Sequence, residues 1–363
     1  MEGVAEFVEW LGEDRGLALG GLLIGALFGF FAQRSQFCLR AAVVEVARAQ
    51  FGPRLAVWLL ALSAALILTQ ALQLAGEFDT GNVRQLASQG SVSGAAIGGL
   101  LFGIGMVLAR GCSSRLLVLA ANGNLRALLS GLIFAVTAQA SMSGILSPWR
   151  EALAGLWTID GGSARDLLAL TGIGHAGGVL FGAAWLVAGI WFARRHRIRA
   201  WGWIGGIGAG LMVGIAWWFT YRLAGLLFVP TPVQSLSFTG PSADVLMRVL
   251  SPPGQPLNFD LGMVPGVFLG AFVAAGFARE LKLEGFQGGH AMRRYIIGAI
   301  LMGFGGMLAG GCAVGAGVSG AAVFAVTAWV TLSAMWLGAS LTDWLVDRQG
   351  AAGLRNLATP GAP

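Results

Sequence analysis

The sequence has few residues of the kinds that metal proteins and most enzymes use. Of its 363 residues, three are cysteine, three are histidine and 11% are charged. The cysteines are odd in number and widely spaced, without a CxxC pair, which disfavours a disulfide framework and a zinc site. The sequence also lacks a nucleotide-binding loop, a GxSxG elbow and paired carboxylates, which leaves an energised pump or a hydrolase without support. We therefore expect no metal, no cofactor and no catalytic residue.

The sequence instead contains many long apolar segments. Hydrophobic residues make up 56% of the chain and the mean hydropathy is +0.74. A helix needs about 20 apolar residues to cross the hydrocarbon core of a bilayer, and such segments recur along the chain. The sequence predicts an all-α polytopic integral membrane protein, in contact with membrane lipid. Residues 1–16 are acidic and lack the pattern of a cleaved signal peptide.

The hydropathy pattern predicts about nine transmembrane helices in a single membrane transport domain, 1–363. Loops rich in arginine and lysine follow the first, fifth and seventh predicted spans, whereas the other connections carry the acids Glu77, Asp79, Glu151, Asp160, Asp166 and Asp244. The positive-inside rule then puts the N-terminus in the periplasm and the C-terminus in the cytoplasm of a bacterial inner membrane. The net charge of +6 comes mostly from the basic loops that set the membrane topology, and it indicates no nucleic-acid partner. The predicted spans are 17–37, 53–76, 94–110, 124–146, 170–193, 201–229, 260–278, 295–311 and 321–342.

One motif occurs twice. Residues 97–112 read IGGLLFGIGMVLARGC and residues 297–312 read IGAILMGFGGMLAGGC, with nine identical positions of 16. A chain of this composition would give roughly two identities by accident. The third cysteine, Cys38, also ends a glycine-rich apolar segment. All three thiols therefore occupy one kind of position, which favours a shared role over simple space filling.

The topology gives the two motif copies opposite directions. The third predicted span runs inward and the eighth outward, so that we expect inverted repeats over approximately 17–146 and 201–342, with 170–193 as a connector helix. In this scheme the counterpart of Cys38 lies in the sixth span, which has no cysteine. The glycines before Cys112 and Cys312 predict a break in each helix, with broken or re-entrant half-helices at the motifs.

Helix starts at these breaks predict a small polar waist in an apolar protein. The free N–H groups and the positive end of a helix dipole attract anions. A neutral thiol adds a soft, polarisable group with a weak S–H donor, which suits a substrate that carries soft sulfur. The expected substrate-pathway residues are Cys38, Cys112, Cys312, Gly111, Gly310, Gly311, Arg110, Arg34, Ser113 and Gly315.

Arginines near the thiols have two interpretations. Arg110 and Arg115 flank Cys112, and charge within a membrane is costly enough to indicate function. Alternatively, both side chains reach the cytoplasmic mouth and are solvated there. For Arg34 and Arg40, beside Cys38, a solvated cytoplasmic face is the favoured interpretation.

The motifs resemble the YeeE/YedE family of bacterial sulfur-transport membrane proteins over most of the chain. The resemblance rests on Gln33, Arg34, Phe37 and Cys38, then Gly111–Cys112, and then Gly310–Gly311–Cys312, in the order typical of the YeeE branch. It implies that three cysteines line a narrow route for thiosulfate and that a cytoplasmic TusA-like sulfur carrier is a partner. The family's second motif is usually Gly-Gly-Cys, whereas this chain has Arg110 before Gly111.

Together these observations predict uptake of a sulfur-containing anion, most readily thiosulfate. The anion moves from thiol to thiol by weak S–H···S contacts, without covalent change. Alternatives are a transporter of sulfite or a selenium compound, and a membrane sulfurtransferase or redox protein that forms a cysteine persulfide. A soft-metal permease is weakened by the absence of clustered His or Cys ligands.

Overall fold

The described part of the chain is mainly helical. The computed structural model describes residues 13–81, 83–227, 231–252, 254–286 and 288–348, so that the segment 1–12 at the N-terminus lies outside it. A short antiparallel pair joins β1, Gly90–Ser91, to β2, Thr158–Ile159. There are also a 3₁₀ turn, Gly162–Arg165, and two π-helices, Gly315–Gly320 and Asp343–Arg348. The α-helices are α1 Glu13–Ser35, α2 Leu39–Ala47, α3 Pro53–Leu74, α4 Arg84–Ala87, α5 Val92–Leu108, α6 Ser113–Ala121, α7 Leu125–Ser143, α8 Ser147–Ala154, α9 Leu167–Thr171, α10 Gly174–Arg195, α11 Ala200–Ala224, α12 Thr239–Leu250, α13 Phe259–Ala278, α14 Gly288–Leu308 and α15 Val326–Thr342.

Seven helical segments of the described residues are long and apolar enough to cross a membrane, and the protein is an all-α multi-pass membrane protein. The remaining two predicted spans correspond to α14, which contains Arg293 and Arg294, and to α15, which has 17 residues. The count of nine therefore stays a prediction. The seven segments are Asp14–Ala47, Pro53–Leu74, Val92–Ala121, Leu125–Ser143, Gly174–Arg195, Ala200–Ala224 and Phe259–Ala278.

Helices α1 and α13 pack so closely that their backbones touch. A Cβ atom added at Gly21 would lie 2.2 Å from the carbonyl oxygen of Phe259, and one at Gly29 would lie 2.1 Å from that of Val267. Only glycine allows this approach, which is a common device between membrane helices. Since both contacts have the same offset in sequence, the two helices run parallel.

Helices α5 and α14 carry the repeated motif and pack on each other through it. Gly98 faces Gly305, and Gly105 faces Gly298; an added Cβ at any of the four would come within 2.5 to 2.7 Å of the opposite carbonyl oxygen. We call these four residues the glycine seam. Its register makes the two helices antiparallel, so that the cysteines which follow them lie beyond opposite ends of the seam.

The order of elements recurs at a distance of 200 residues. Helix α2 begins at Leu39 and α12 at Thr239, while α5 ends at Leu108 and α14 at Leu308. The long helices pair in the same way, since α1 packs on α13 and α11 on α3. The position that matches Cys38 is therefore Phe238, which follows α11 and lies outside the sixth predicted span.

Several basic residues from distant parts of the sequence converge on the C-terminal π-helix. Asp347 binds Arg294 at 2.7 Å and Arg40 at 3.4 Å. Asp343, which is fully buried, binds Arg48 at 2.6 Å. We call these five residues the arginine end. They tie the chain after α1, the first part of α14 and the segment after α15 to one end of the helix bundle.

Candidate functional site

The three cysteines share one local structure. Each thiol is free and buried, with 8% of Cys38 exposed and none of Cys112 or Cys312. Each backbone carbonyl accepts the first helical hydrogen bond of the segment that follows, from the N–H four residues later, at 3.3, 2.9 and 2.8 Å respectively. All three thiols are therefore at helix starts, where unpaired N–H groups and the helix dipole favour negative charge.

The two motif copies end in the same turn, although one has arginine where the other has glycine. Gly111 donates to the carbonyl of Met106 at 3.0 Å, and Gly311 donates to that of Gly306 at 2.9 Å. The residue before each is left-handed, with φ of 57° at Arg110 and 76° at Gly310. Glycine adopts this conformation without strain, whereas arginine does not. The Arg110 side chain is exposed and does not disturb the turn.

Cys312 lies where two backbone N–H groups meet. Its Sγ accepts hydrogen bonds from Phe238 N and from Gly315 N, both at 3.3 Å. A side chain at Gly315 is excluded, because its Cβ would come within 2.3 Å of Ser237 Oγ. With its lone pairs facing two donors, the sulfur has its own S–H bond available for another acceptor.

Cys38 and Cys112 form a second group at the other end of the glycine seam. Their thiol groups lie close enough to act on each other electrostatically. Cys112 Sγ is also 3.4 Å from Ser114 Oγ. The guanidinium groups of Arg40 and Arg115 are close enough to act electrostatically on Cys38. We call Cys38 and Cys112 the thiol pair.

The arginine that faces the thiol pair from α6 has a polar partner. Arg115 donates to Gln33 Oε1 at 3.4 Å, and Gln33 Nε2 donates to Glu280 Oε2 at 2.8 Å. Arg34, the next residue, is directed elsewhere, and its Cζ lies 4.8 Å from the ring centroid of Trp201 on α11. Of the two neighbours on α1, Gln33 is the one joined to this group.

The structure thus divides the expected pathway residues into groups. Cys38, Cys112 and the buried Ser113 lie together, while Cys312 and Gly315 form a separate site. The glycines of both motifs form the turns that lead into the thiols. Arg34 and the exposed Arg110 lie outside both groups.

One aromatic ring lies between the two groups. Phe28, buried in α1, has its ring centroid 6.2 Å from that of Phe37, which precedes Cys38. It is 5.8 Å from that of Phe238, whose N–H binds Cys312. No motif in the sequence pointed to Phe28, Phe238 or Ser237. Adding 200 to the number of Cys38 is the one signal that leads to Phe238.

Among the described residues, no group of three or more His, Cys, Asp or Glu side chains could hold a metal ion. The polar groups that converge on the sulfur atoms are backbone N–H groups, hydroxyls and guanidiniums. Such donors suit an anion.

Comparison with known proteins agrees with this chemistry. The model of a family described as sulphur transport matches residues 34–341. The thiosulfate transporter TsuA of Escherichia coli K12 is 26% identical over 353 residues, which is 91% of this chain and 95% of that protein. TsuA of Spirochaeta thermophila is 28% identical over 343 residues, or 91% and 99% of the two chains. The probable transporter YedE of E. coli K12 is 35% identical over 100 residues, about a quarter of each chain.

Proposed function

Because this chain belongs to the sulphur transport family, as the match over residues 34–341 establishes, we propose that it takes up thiosulfate. The protein is a membrane transporter of a sulfur-containing anion. The finer identification of thiosulfate is supported by the names of two relatives that match nearly full length. It is also supported by the soft sulfur atoms of the cysteines, which suit the outer sulfur of thiosulfate.

The observation that carries the proposal is that all three buried thiols begin a helical segment. At such a position the anion gains from N–H groups and from the helix dipole. The thiol itself is neutral in this mechanism, since a thiolate would repel a dianion. An S–H···S contact is weak, so that the anion is released to the next thiol without any bond being made or broken. At Cys312, the hydrogen bonds from Phe238 and Gly315 leave the S–H bond free for the anion.

The thiols are used in a definite order in this proposal. The anion meets Cys312 first, passes Phe28 and then reaches the thiol pair. Support comes from the antiparallel glycine seam, since Cys112 and Cys312 follow its opposite ends. It also comes from Arg40, which is close to Cys38 and bound to Asp347 of the arginine end. Attraction to positive charge at the inner end would favour the last step.

We propose that the arginine end faces the cytoplasm and that the protein lies in the bacterial inner membrane. The positive-inside rule supports this orientation, because Arg40, Arg48 and Arg294 are gathered at this end of the helix bundle. The N-terminus would then be periplasmic and the C-terminus cytoplasmic. Contact with membrane lipid is supported by exposed apolar side chains such as Leu180, Val187 and Phe277. A TusA-like sulfur carrier would accept the sulfur anion at the arginine end, as the family resemblance implies.

We also propose that the chain is one transport domain of two inverted repeats, approximately 17–146 and 201–342, with 170–193 as connector. This is supported by the glycine seam, in which each copy of the motif presents the same residues to the other. It is further supported by the recurrence of helix starts and turn hydrogen bonds at an offset of 200.

The test is uptake of ³⁵S-labelled thiosulfate into proteoliposomes, with unlabelled sulfate and sulfite as competitors. We expect uptake that thiosulfate itself blocks and sulfate does not. Single Cys→Ala variants at 38, 112 and 312 should each reduce uptake strongly, while Cys→Ser variants should retain part of it. Normal uptake by the triple Cys→Ala protein would disprove the thiol relay. A persulfide on Cys312, detected by intact mass after exposure to thiosulfate, would favour the sulfurtransferase instead.

A further inference from the structure

Thr239 has a hydroxyl group that no protein group satisfies in the described part of the chain. The residue is 1% exposed, and its Oγ1 atom has no hydrogen-bond partner there. It is the first residue of α12 and directly follows Phe238, whose N–H binds Cys312. A buried hydroxyl without a partner is costly, since it gives up its bonds to water.

Packing does not account for this hydroxyl. The matching position 200 residues earlier is Leu39, which is equally buried and apolar. The neighbouring helix α14 also leaves room for the hydroxyl oxygen of Thr239. A Cβ atom at Gly306 would come within 2.9 Å of Thr239 Oγ1, so that glycine at this position keeps the space open. In the other motif copy this position is Met106.

The other cysteine motif carries a second hydroxyl of this kind. Ser113 follows Cys112, is 6% exposed, and its Oγ has no partner among the described residues. Its counterpart in the second copy is Ala313, which is buried and apolar. Each motif cysteine therefore has a spare hydroxyl beside it, and each hydroxyl has an apolar residue at the matching position.

We propose that Thr239 is a specificity-determining residue that donates a hydrogen bond to an oxygen of the anion whose soft sulfur contacts Cys312. Ser113 has the same role beside Cys112. The site then selects anions that carry an outer sulfur and oxygens on the adjacent atom. Sulfate lacks the soft sulfur, and sulfide lacks the oxygens. This inference rests on the proposed function and adds to it a contact for the oxygen atoms.

The test compares purified wild-type protein with Thr239→Val, which has nearly the same shape without the hydroxyl, and with Thr239→Ser, which keeps the hydroxyl. In proteoliposomes we expect Thr239→Val to raise the KM for ³⁵S-labelled thiosulfate at least tenfold. Thr239→Ser should stay within about threefold of wild type, because its hydroxyl can still donate.

Thr69 is the matched control. It is also fully buried, its Oγ1 also has no partner among the described residues, and it lies in α3, outside both motifs. Thr69→Val should leave the KM unchanged. The melting temperature separates this role from a structural one. If the Thr239 hydroxyl only stabilised the fold, Thr239→Val would lower the melting temperature, whereas removing an unsatisfied hydroxyl should not lower it. Thr239→Ala is a second variant without the hydroxyl, should Thr239→Val fold poorly.

The outcomes separate the two proposals. A raised KM with an unchanged or higher melting temperature supports the role of Thr239. Wild-type KM in Thr239→Val or Thr239→Ala, in a preparation whose wild type takes up thiosulfate, overturns this inference and leaves the proposed function intact. Wild-type protein that takes up no thiosulfate overturns the proposed function and this inference with it.

Discussion

The backbone N–H of Phe238 donates a hydrogen bond to Cys312 Sγ over 3.3 Å, although 74 residues separate the two in sequence. This bond fixes the loop before α12 against the second motif. It gives the thiol a donor that the helix start alone would not supply. The position of this loop is therefore as important for the chemistry of Cys312 as the motif itself.

Gly315 provides a way to move that loop. In Gly315→Ala, the new Cβ would lie 2.3 Å from Ser237 Oγ and 2.8 Å from Ser237 Cβ. Because the packed interior has no room for the new methyl group, we expect it to displace the loop and thiosulfate uptake to fall at least tenfold. Uptake into proteoliposomes measures the effect.

The control is the double variant Gly315→Ala with Ser237→Gly. The second change removes both clashing atoms and leaves Ser237 Cα at 3.4 Å, an ordinary contact. Uptake should return in large part. A double variant as inactive as the single one would mean that Gly315 acts in some other way.

Gly298 tests the glycine seam. In Gly298→Ala, the methyl group would lie 2.6 Å from Ala109 N and 2.7 Å from Gly105 O. We expect a loss of stability of about 1–3 kcal/mol, typical of overpacking, and hence a lower melting temperature in detergent. The matched control is Gly131→Ala in α7, where an added Cβ has no described atom within 4 Å. Alanine should stabilise that helix by about 0.5–1 kcal/mol. Equal effects of the two changes would contradict the seam.

Phe28 tests whether the anion passes between the two thiol groups. Removing its ring in Phe28→Ala opens space between Phe37 and Phe238. We expect wild-type protein to exclude labelled sulfate and the variant route to lose this selectivity, so that sulfate enters the proteoliposomes. Phe30→Ala deletes a ring that instead contacts Trp201 and should leave sulfate excluded. Sulfate entry in neither variant, or in both, would place the route elsewhere.

Arg110 tests whether the departure from the family pattern has a function. Arg110→Gly should stabilise the protein by about 1 kcal/mol, because glycine adopts the left-handed turn without strain. Arg110→Ala removes the same charge and keeps the strain. Both variants should retain the wild-type KM for thiosulfate if Arg110 lies outside the route. A raised KM in both would assign the guanidinium a direct role in uptake.

Asp244 predicts a pH dependence of stability. Burial raises the pKa of this α12 carboxyl, and the nearby Arg84 opposes the rise. A carboxyl whose pKa is higher in the folded state binds its proton more tightly there. Folding therefore loses stability as the pH rises from the ordinary Asp value of about 4 through the raised pKa. Asp244→Asn should abolish that part of the decline, measured as melting temperature against pH. An unchanged profile would contradict the assignment.

The sequence was sufficient to predict the all-α membrane fold and the end of a helix shortly before Cys112 and Cys312. These features are local, because long apolar segments, pairs of glycines and a repeated motif can be recognised directly in the sequence. Arg34 shows the limit of prediction from local sequence. It precedes Cys38 by only four residues, but α1 ends at Ser35 and Gln36 is left-handed with φ of 56°. This turn directs the side chains of Arg34 and Cys38 to different places. An i to i+4 relation holds only within a continuous helix.

Phe238 and Thr239 could not be found from residue types. They share no identity with Cys38 and Leu39, and they follow a loop with no counterpart in length or composition. Their equivalence depends on where α2 and α12 begin, which is a property of the folded backbone. Unsatisfied hydroxyls are likewise invisible in sequence, since serine and threonine look the same whether or not they have partners.

The glycine seam has a consequence for how such a chain could have arisen. Gly98 meets Gly305 and Gly105 meets Gly298, so that each surface is complementary to a copy of itself. This is the geometry of an isologous interface in a two-fold homodimer. In the inverted-repeat arrangement proposed above, a half-length ancestor would have associated with a second copy inserted in the opposite orientation. Fusion of the two genes would then have freed Leu39 and Thr239, and Ser113 and Ala313, to diverge, which a homodimer of identical subunits cannot do.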